Sequence, residues 1–255
     1  MTTPLQGQIA IVTGGGRGIG RAICERLAAD GAFVVVVDIT GECKAVADDI
    51  VAGGGKASPA QFDATDEPAM RDLVAATLAE HGRIDILVNN AAISPKNNGR
   101  KFFLEETTAA MMDEILHVNL TSPFVFAREV VPAMRRAGNG GRIVNIISQA
   151  ARTRPDKTSG HYAASKAGLL GLTRALANEV AGDGITVNCV APGFIDTIKL
   201  AGFSQETRDE VTKKVPLGRF GTPQDIAGAV AFLTSADASY VTGATIDVNG
   251  GAYMA

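Results

Sequence analysis

The sequence predicts an α/β fold in which about seven parallel strands form one doubly wound sheet, with helices packed on both faces. Seven short apolar runs recur along the 255 residues, and segments of helical length separate them. The runs lack the alternation of polar and apolar residues that marks a strand with one wet face, so both faces of the sheet are expected to be covered. Strands that alternate with helices in this way are typical of a parallel sheet whose ligand binds beyond the carboxyl ends of the strands.

The predicted strands place polar or turn-forming residues at their carboxyl ends. In chain order they are Ile9–Thr13, Ala32–Asp38, Ala57–Asp63, Ile84–Asn90, Arg142–Ser148, Thr186–Val190 and Thr245–Asn249. Chemically useful residues stand at or just after four of these strand ends: Asp38, Asn90, Ser148 and Pro192. Because the carboxyl ends of parallel strands share one edge, we expect these residues to meet there.

The helical segments complete a single domain, residues 1–255. A helix is predicted over Arg21–Asp30, and two long helices over Thr107–Arg136 and His161–Ala181. The long helices are richer in apolar residues than one sheet contact requires, which indicates burial between subunits. The mixed segment Asp196–Val215 is predicted to be a lid over the substrate, with an ordinary pair of surface helices as the alternative.

A glycine-rich turn links the first predicted strand to the first helix. It reads Gly14-Gly15-Gly16-Arg17-Gly18-Ile19-Gly20. Glycine lets the backbone turn tightly and approach a ligand closely, and the N-terminus of the following helix offers free N–H groups to a pyrophosphate. Many such runs are only tight turns, but the flanking strand and helix favour a dinucleotide site.

Asp38 ends the second predicted strand, eighteen residues after Gly20. An acidic side chain at about this interval accepts hydrogen bonds from the hydroxyls of an adenosine ribose and repels a 2′-phosphate. Neither Arg nor Lys follows Asp38 directly, so the sequence predicts NAD (NADH) rather than NADP. The alternative is a helix cap or a solvated strand end, which the following Ile39-Thr40-Gly41 also permits.

Tyr162 and Lys166 are the candidate proton-transfer pair. Residues four positions apart lie one turn apart on the same face of a helix. An ammonium group beside a phenol favours the phenolate, so we expect Lys166 to lower the pKa of Tyr162 from about 10 toward neutrality. Tyrosine and lysine at this spacing also occur by chance on amphipathic helices, so the pair alone does not decide the function.

Five motifs in this order resemble those of the short-chain dehydrogenase/reductase family, in its short single-domain branch with a Rossmann-type fold. They are Thr13-Gly-Gly-Gly-Arg-Gly-Ile-Gly20, Asn89-Asn90-Ala91-Ala92, Ser148, Tyr162-Ala-Ala-Ser-Lys166 and Pro192-Gly193. The resemblance extends from about Gly7 to Gly251. It implies a nicotinamide-dinucleotide oxidoreductase that assembles as a homotetramer, with a dimer as the alternative.

The resemblance implies a role for each catalytic candidate. Tyr162 would be the general acid/base, and Ser148 would hydrogen-bond the same substrate oxygen. Lys166 would also bind the ribose of the nicotinamide. Asn119, within Leu116–Leu120, resembles the asparagine that interrupts its helix and holds a water linking the lysine to solvent. A mid-helix asparagine that simply faces solvent, or that hydrogen-bonds to its own helix backbone, is the alternative.

The resemblance also implies the cofactor contacts, with strand-end capping as the alternative for each. Asp63 and the Ala64 amide would meet the adenine, and Asn90 would brace the glycine turn and approach a ribose. Ile195 through its backbone and Thr197 through its hydroxyl would meet the nicotinamide carboxamide. The full set of implied cofactor-binding residues is Gly14, Arg17, Gly18, Ile19, Gly20, Asp38, Asp63, Ala64, Asn90, Tyr162, Lys166, Pro192, Ile195 and Thr197.

Two departures from the family pattern stand out, one beside the cofactor and the central helix and the other at the substrate pocket. The usual Asn-Asn-Ala-Gly ends here in Ala92, whose methyl group is expected to be accommodated. One extra residue separates Ser148 from Tyr162, and it is expected to be absorbed in the charged segment Arg152–Lys157. Two loops carry basic side chains that would either bind an anionic substrate or lie in solvent: Lys96, Arg100, Lys101, Arg152, Arg154 and Lys157.

Composition argues against several other classes of protein. Lys and Arg number 24 against 27 acids, a net charge of −3, which gives no electrostatic case for nucleic acid. Cys24, Cys43 and Cys189 are widely spaced, so neither a disulfide framework nor a metal site is indicated, and we expect buried, reduced thiols. Without a signal-peptide pattern or an apolar run of membrane-spanning length, the sequence predicts a cytoplasmic protein with no membrane partner.

The main hypothesis is an NAD(H)-dependent oxidoreductase that interconverts a small secondary alcohol and a ketone, with Tyr162 as general acid/base. Candidate reactions are 3-oxoacyl thioester reduction, dihydrodiol oxidation, and oxidation of polyols or sugar alcohols, and the NAD prediction favours oxidation. A non-catalytic dinucleotide sensor is the alternative from another class, and it would not require Ser148, Tyr162 and Lys166 together. An epimerase or dehydratase is disfavoured because no C-terminal substrate domain is predicted.

Overall fold

A computed structural model describes residues 3–153, 158–197 and 204–254 of the chain. The strands within them are β1 (Ile9–Thr13), β2 (Phe33–Asp38), β3 (Lys56–Gln61), β4 (Ile86–Asn89), β5 (Gly141–Ile146), β6 (Ile185–Pro192) and β7 (Thr245–Val248). They form one parallel sheet in the spatial order β3-β2-β1-β4-β5-β6-β7. The order reverses between β1 and β4, which confirms the predicted doubly wound sheet and places its switch point at the end of β1.

Helices cover both faces of this sheet. Those in the described ranges are α1 (Gly18–Ala29), α2 (Glu42–Ala52), α3 (Glu67–His81), α4 (Ala109–Leu116), α5 (Ser122–Ala137), α6 (Gly160–Val180), α7 (Gln205–Lys213) and α8 (Pro223–Thr234). Successive residues of a strand point to opposite faces. Val12 accordingly packs in the core beneath α1, α2 and α8, whereas Ile11 packs in the core beneath α3, α5 and α6.

The two edge strands depart from the predicted buried pattern. β3 lies at the edge beside β2 and exposes Lys56, Pro59 and Gln61. Proline has no N–H to donate to a ladder, so it is tolerated at an edge. The expectation that every strand is buried on both faces is wrong for β3 and also for β7, whose four residues are only partly buried.

The helix predicted over Thr107–Arg136 is divided in two. A π-helical turn, His117–Thr121, lies between α4 and α5. Such turns are frequent at functional sites, and this one contains Asn119, as the family resemblance implied. The helix predicted over Arg21–Asp30 begins earlier, at Gly18, so its N-terminus lies inside the glycine turn.

The predicted lid segment, Asp196–Val215, contains α7, and its residues 198–203 lie outside the described ranges. The guanidinium of Arg208, on α7, donates to Asp196 Oδ2 over 2.9 Å. That ion pair joins α7 to the start of the segment, close to the end of β6. The function of this segment as a lid stays a prediction.

Two expectations about the chain as a whole concern thiols and membranes. Cys24, Cys43 and Cys189 are all buried, as predicted. Burial raises the pKa of Cys189 to about 11, so its thiol stays protonated and poorly nucleophilic at neutral pH. None of the described helices is both long and apolar enough to span a bilayer.

Candidate active site

The carboxyl edge of the sheet gathers the residues that the sequence placed at strand ends. Asp38 and Pro192 are the last residues of β2 and β6, Asn90 directly follows β4, and Ser148 lies two residues after β5. Because these strands run parallel in one sheet, the four residues lie along a single edge, as predicted.

The glycine turn packs backbone closely against backbone. Gly14 and Gly18 have φ angles of +63° and +54°. A Cβ atom on Gly20 would lie 1.9 Å from the carbonyl oxygen of Gly14, and one on Gly14 would lie 2.9 Å from Asn90 Nδ2. That amide donates to the carbonyls of Thr13 (3.0 Å) and Gly14 (2.9 Å). Asn90 therefore braces the turn as predicted, and glycine is required by the close approach.

The N-terminus of α1 has no capping side chain. Arg17 is the N-cap residue, and no side-chain oxygen caps the first helical N–H groups. The Arg17 side chain is 61% exposed, whereas Ile19 packs against the core beneath α1 and α8. Free N–H groups at a helix N-terminus bind phosphate. The residues present thus fit the pyrophosphate of a dinucleotide.

Asp38 organises the loop after β2 and also braces the glycine turn. Its Oδ2 accepts a hydrogen bond from the Gly16 N–H (2.9 Å). Its Oδ1 accepts from the Thr40 N–H (3.0 Å) and hydroxyl (2.9 Å). The carboxylate therefore lies beside the glycine turn, where the ribose was expected, and it also caps the strand end, which was the alternative. The hydrogen bonds seen are those of the cap, and the contact of Asp38 with a ribose stays a prediction.

Asp63 and Ala64 lie beside the same end of the sheet. The Phe62 N–H donates to the Asp38 carbonyl over 3.1 Å. Asp63 is exposed and caps the turn that follows it, and the Ala64 carbonyl accepts a hydrogen bond from the Ser122 hydroxyl on α5. The contacts of these two residues with adenine stay predictions.

The segment after β6 approaches the glycine turn from the other side. A Cβ on Gly18 would lie 3.6 Å from Thr197 Cγ2, so Thr197 lies directly across from the turn. Pro192 pairs with Val248 of β7. Ile195 is 5% exposed, and its side chain packs into the core. The side chain of Ile195 is thus not available to a ligand, and a contact of its backbone with the nicotinamide carboxamide stays a prediction.

Ser148, Tyr162 and Lys166 lie together where β5 ends and α6 begins. A hydrogen bond joins the Ser148 and Tyr162 side chains. Lys166 is 2% exposed, and its ammonium donates to the carbonyl of Ile146, the last residue of β5, over 2.8 Å. The structure therefore brings the three catalytic candidates to one place.

The pKa of Tyr162 departs from the expectation. Burial raises it above the ordinary value of 10.0, and the hydrogen bond from Ser148 offsets this only in part. The prediction that Lys166 makes the phenolate accessible near neutrality is wrong for the protein chain by itself, because desolvation disfavours the charged form more strongly. Tyr162 is consequently a neutral phenol at pH 7, which suits a proton donor.

Asn119 is fully buried, which excludes the solvent-facing alternative. Its side-chain oxygen accepts from the Ile93 N–H (2.9 Å), and its amide donates to the Ile93 carbonyl (3.0 Å) and the Ser165 hydroxyl (3.0 Å). Ser165 in turn donates to the Tyr162 carbonyl over 2.8 Å. Asn119 thus links the segment after β4 to the first turn of α6. The water that it is implied to hold stays a prediction.

Arg152, in the loop after Ser148, is engaged within the chain. It forms an ion pair with Asp247 of β7, and its guanidinium lies 5.3 Å from the centre of the Tyr253 ring. Of the two alternatives stated for this residue, the structure shows neither an open anion anchor nor a side chain left in solvent, because Arg152 pairs with an acid 95 residues away in sequence. Two other basic residues of this loop, Arg154 and Lys157, lie outside the described ranges.

Basic residues of the other loop, which contains Lys96, Arg100 and Lys101, also make contacts within the chain. Arg100 pairs with Glu106 over 2.7 Å and lies 5.4 Å from the centre of the Phe103 ring. The Lys101 ammonium lies 5.7 Å from the same centre, and burial lowers the pKa of Lys96. Arg100 is therefore not an open anion anchor either.

Sequence reasoning missed two hydroxyl groups. The Thr13 hydroxyl accepts from the N–H groups of Asn90 and Ala91, both over 3.0 Å. Ser165 connects Asn119 to Tyr162, as described above. Both residues belong to the motifs already described. Thr13 directly precedes the glycine turn and Ser165 directly precedes Lys166, and these positions could have marked them as part of the site.

Comparison with known proteins identifies the family. A family model described as enoyl-(acyl carrier protein) reductase matches residues 14–253. The 3-oxoacyl-[acyl-carrier-protein] reductase of Escherichia coli (strain K12) is 42% identical over 249 residues, which cover 98% of each chain. The chain belongs to the short-chain dehydrogenase/reductase family. It is accordingly an oxidoreductase, and its Rossmann-type sheet is the one that the family resemblance implied.

Two solved structures that are similar to this chain contain different dinucleotides, NADP in one and NAD in the other. A Beutenbergia cavernae protein, assigned as an NAD(P)-dependent gluconate 5-dehydrogenase with NADP bound at low occupancy, matches with a TM-score of 0.90 and 40% identity over 98% of each chain. A 3-oxoacyl-[acyl-carrier protein] reductase from Brucella melitensis with bound NAD matches with a TM-score of 0.91 and 36% identity, covering 99% of this chain and 94% of that one. These likenesses support a nicotinamide-dinucleotide site in this chain.

Replacing Gly20 with Ala should abolish tight dinucleotide binding and destabilise the fold by about 1–3 kcal/mol, because the new Cβ would overlap the Gly14 carbonyl. Gly228→Ala is the matched control, since Gly228 also lies in a helix and a Cβ there would meet no atom within 4 Å. Isothermal titration with NADH and thermal unfolding check both variants. Wild-type affinity in Gly20→Ala would contradict the assigned geometry of the turn.

Proposed function

We propose that this chain is an NAD(H)-dependent oxidoreductase that reduces a ketone to a secondary alcohol, and that its ketone is a 3-oxoacyl thioester carried by acyl carrier protein. The observation that carries the proposal is a neutral Tyr162, hydrogen-bonded to Ser148 and four residues before the buried Lys166. The name of the Escherichia coli relative, which is 42% identical, supports the choice of substrate. A tyrosine that is protonated at neutral pH is in the state that reduction requires, because reduction needs a proton donor at the product oxygen.

The mechanism assigns each side chain a task. A bound reduced nicotinamide would supply a hydride to the carbonyl carbon. The hydroxyls of Ser148 and Tyr162 would hold the carbonyl oxygen, and Tyr162 would donate its proton to that oxygen as negative charge develops. Lys166, whose ammonium donates to the Ile146 carbonyl, would also contact the nicotinamide ribose. Asn119 would keep α6, and with it Tyr162, in register with the segment after β4.

The preference for NAD is part of the proposal. Asp38 stands beside the glycine turn, and a carboxylate there would accept from a ribose hydroxyl but repel a 2′-phosphate. The related structures were solved with NADP in one case and NAD in the other. The proposed preference for NAD therefore rests on the acidic side chain of Asp38 and not on the related structures.

Oxidation of a sugar acid is the second candidate function. It is favoured by the Beutenbergia cavernae protein, which is 40% identical over 98% of each chain and is assigned as a gluconate 5-dehydrogenase. The pairing of Arg152 with Asp247 weighs against it, because that arginine would otherwise be placed to hold the substrate carboxylate.

A homotetramer in the cytoplasm is the proposed form of the enzyme. A tetramer with dihedral symmetry needs two different interfaces, and Phe124 on α5 and Phe232 on α8 are 45% and 42% exposed on separate helices. Three buried cysteines suit a reducing compartment. Light scattering of the purified protein tests the assembly, and a monomeric mass would contradict it.

The experiment that tests the proposed function is a direct comparison of substrates. Purified protein is assayed at pH 7 for oxidation of NADH and of NADPH with a 3-oxoacyl thioester, and for reduction of NAD with gluconate. Faster turnover of the 3-oxoacyl thioester with NADH is expected. Turnover of gluconate alone would favour the second candidate, and tight NADH binding with no turnover of either would favour the sensor.

Tyr162→Phe should lower kcat by several orders of magnitude while dinucleotide affinity changes little, because only the proton donor is removed. Tyr240→Phe is the control, since Tyr240 is fully exposed and takes no part in the site. Steady-state kinetics and NADH titration of both variants provide the check. Near-normal turnover by Tyr162→Phe would refute its role.

The pH dependence follows from the raised pKa of Tyr162. Reduction requires the protonated phenol, so its rate should stay level from pH 7 to about 10 and fall only above that pKa. Oxidation of the alcohol requires the phenolate, so its rate should rise across the same range. Initial rates in both directions measure this, and a reduction rate that is already halved at pH 8 would contradict the sign.

A further inference from the structure

Two acidic residues, and not one, lie against the glycine turn. A Cβ atom built on Gly16 would lie 2.9 Å from Asp38 Oδ2 and 3.0 Å from Glu42 Cβ. Glu42 is the first residue of α2 and is 49% exposed. Asp38 and Glu42 thus flank the same glycine, at the end of the site where the proposed function places the adenosine ribose.

Asp38 by itself has little remaining capacity to accept hydrogen bonds. A carboxylate has about four lone-pair sites, and three protein donors already occupy Asp38: the Gly16 N–H, the Thr40 N–H and the Thr40 hydroxyl. About one site is left for the two hydroxyls of a ribose. Asp38 can therefore accept hydrogen bonds from both hydroxyls only if one of its three protein donors binds a different acceptor.

The Glu42 carboxylate is a second acceptor within reach of the Thr40 hydroxyl. The Thr40 hydroxyl lies 2.9 Å from Asp38 Oδ1 and 3.2 Å from Glu42 Oε2. A hydroxyl has a single hydrogen to donate, so a bond to Glu42 releases one site on Asp38. A ribose with two free hydroxyls would then find two sites on that carboxylate.

Glu42 also lies beside the basic side chain of the turn. Arg17 Nε is 3.9 Å from Glu42 Oε2. A guanidinium is well suited to bind a phosphate, and Arg17 directly follows Gly16, whose N–H donates to Asp38. An acid at position 42 competes with a 2′-phosphate for this group and repels that phosphate directly.

We infer that Glu42 determines cofactor specificity together with Asp38, selecting the free 2′-hydroxyl of NAD against the 2′-phosphate of NADP. It does so by attracting Arg17, by accepting the Thr40 hydroxyl and by its own negative charge. The inference rests on the proposed function, in that it takes the adenosine ribose to lie at Asp38.

The test measures dissociation constants of NAD, NADP and adenosine 2′,5′-bisphosphate by isothermal titration at low salt. Glu42→Gln should tighten NADP and the bisphosphate by about tenfold, because one unit charge near a doubly charged phosphate is removed. NAD affinity should change less than about threefold. Arg17→Met in the Glu42→Gln background should remove part of the gain, since the released guanidinium is then missing, and the part due to the lost negative charge should remain.

Asp48→Asn is the matched control. Asp48 is an exposed acid on α2 that pairs with Lys44 over 2.6 Å, so its replacement changes net charge equally but elsewhere. It should leave the ratio of NAD to NADP affinity unchanged. Thermal unfolding confirms that each variant is folded.

The outcomes separate the inference from the proposed function. An equal effect of Glu42→Gln on NAD and NADP, or the same gain in Asp48→Asn, would overturn the role of Glu42 and leave the oxidoreductase proposal intact. A wild-type protein that binds NADP more tightly than NAD would overturn both the role of Glu42 and the NAD preference in the proposed function, and would leave the assignment as an oxidoreductase intact. A wild-type protein that binds neither dinucleotide would refute the proposed function itself.

Discussion

Contact of backbone against backbone at the carboxyl edge of the sheet is the constraint on which the rest of the site depends. The start of α1 approaches the end of β1 so closely that a single methyl group on Gly20 would lie 1.9 Å from the Gly14 carbonyl oxygen. The Asn90 amide ties the same carbonyl to the end of β4. This contact fixes the uncapped helix N-terminus at the switch point of the sheet, where phosphate binding is favourable.

The proton-transfer side of the site depends on buried polar groups that are satisfied by the chain itself. Asn119 makes three hydrogen bonds although none of its surface reaches solvent, and the buried ammonium of Lys166 has the Ile146 carbonyl as an acceptor. A buried polar group left without a partner costs about 1–3 kcal/mol, and a charged one costs more. These bonds therefore hold α6 in one position relative to β4 and β5, and Tyr162 is carried with it.

Charged side chains around the site mainly form contacts within the chain or lie where the cofactor is expected, and not where the substrate is expected. Arg152 and Asp247 are each about one-fifth exposed, so solvent screens their attraction less than that of an exposed pair, and the pair links the loop after Ser148 to β7. Glu42 and Arg17 are roughly half exposed, so their direct attraction is weak. What matters there is the charge that a 2′-phosphate would meet, which acts whether or not the pair is formed.

The sequence by itself determined the doubly wound sheet, the order of the motifs and the set of residues at its carboxyl edge. Apolar runs without polar alternation, glycine before a helix and polar residues after strands are local patterns, and local chemistry produces them. The break in the helix at Asn119 was available only through the family resemblance, because a π-helical turn has no clear local pattern of its own. The burial of Asn119 required the packing of three separate elements.

Only the tertiary structure decided the electrostatics of the site. The pKa of Tyr162 depends on how far water is excluded from its hydroxyl, and exclusion of water is a property of the assembled fold. The partner of Arg152 lies 95 residues away, and Glu42 approaches Gly16 only because α2 begins beside the glycine turn. The spacing of residues along the chain identifies the groups that can do chemistry. The distances between those groups and their burial in the fold determine their charge states and their partners.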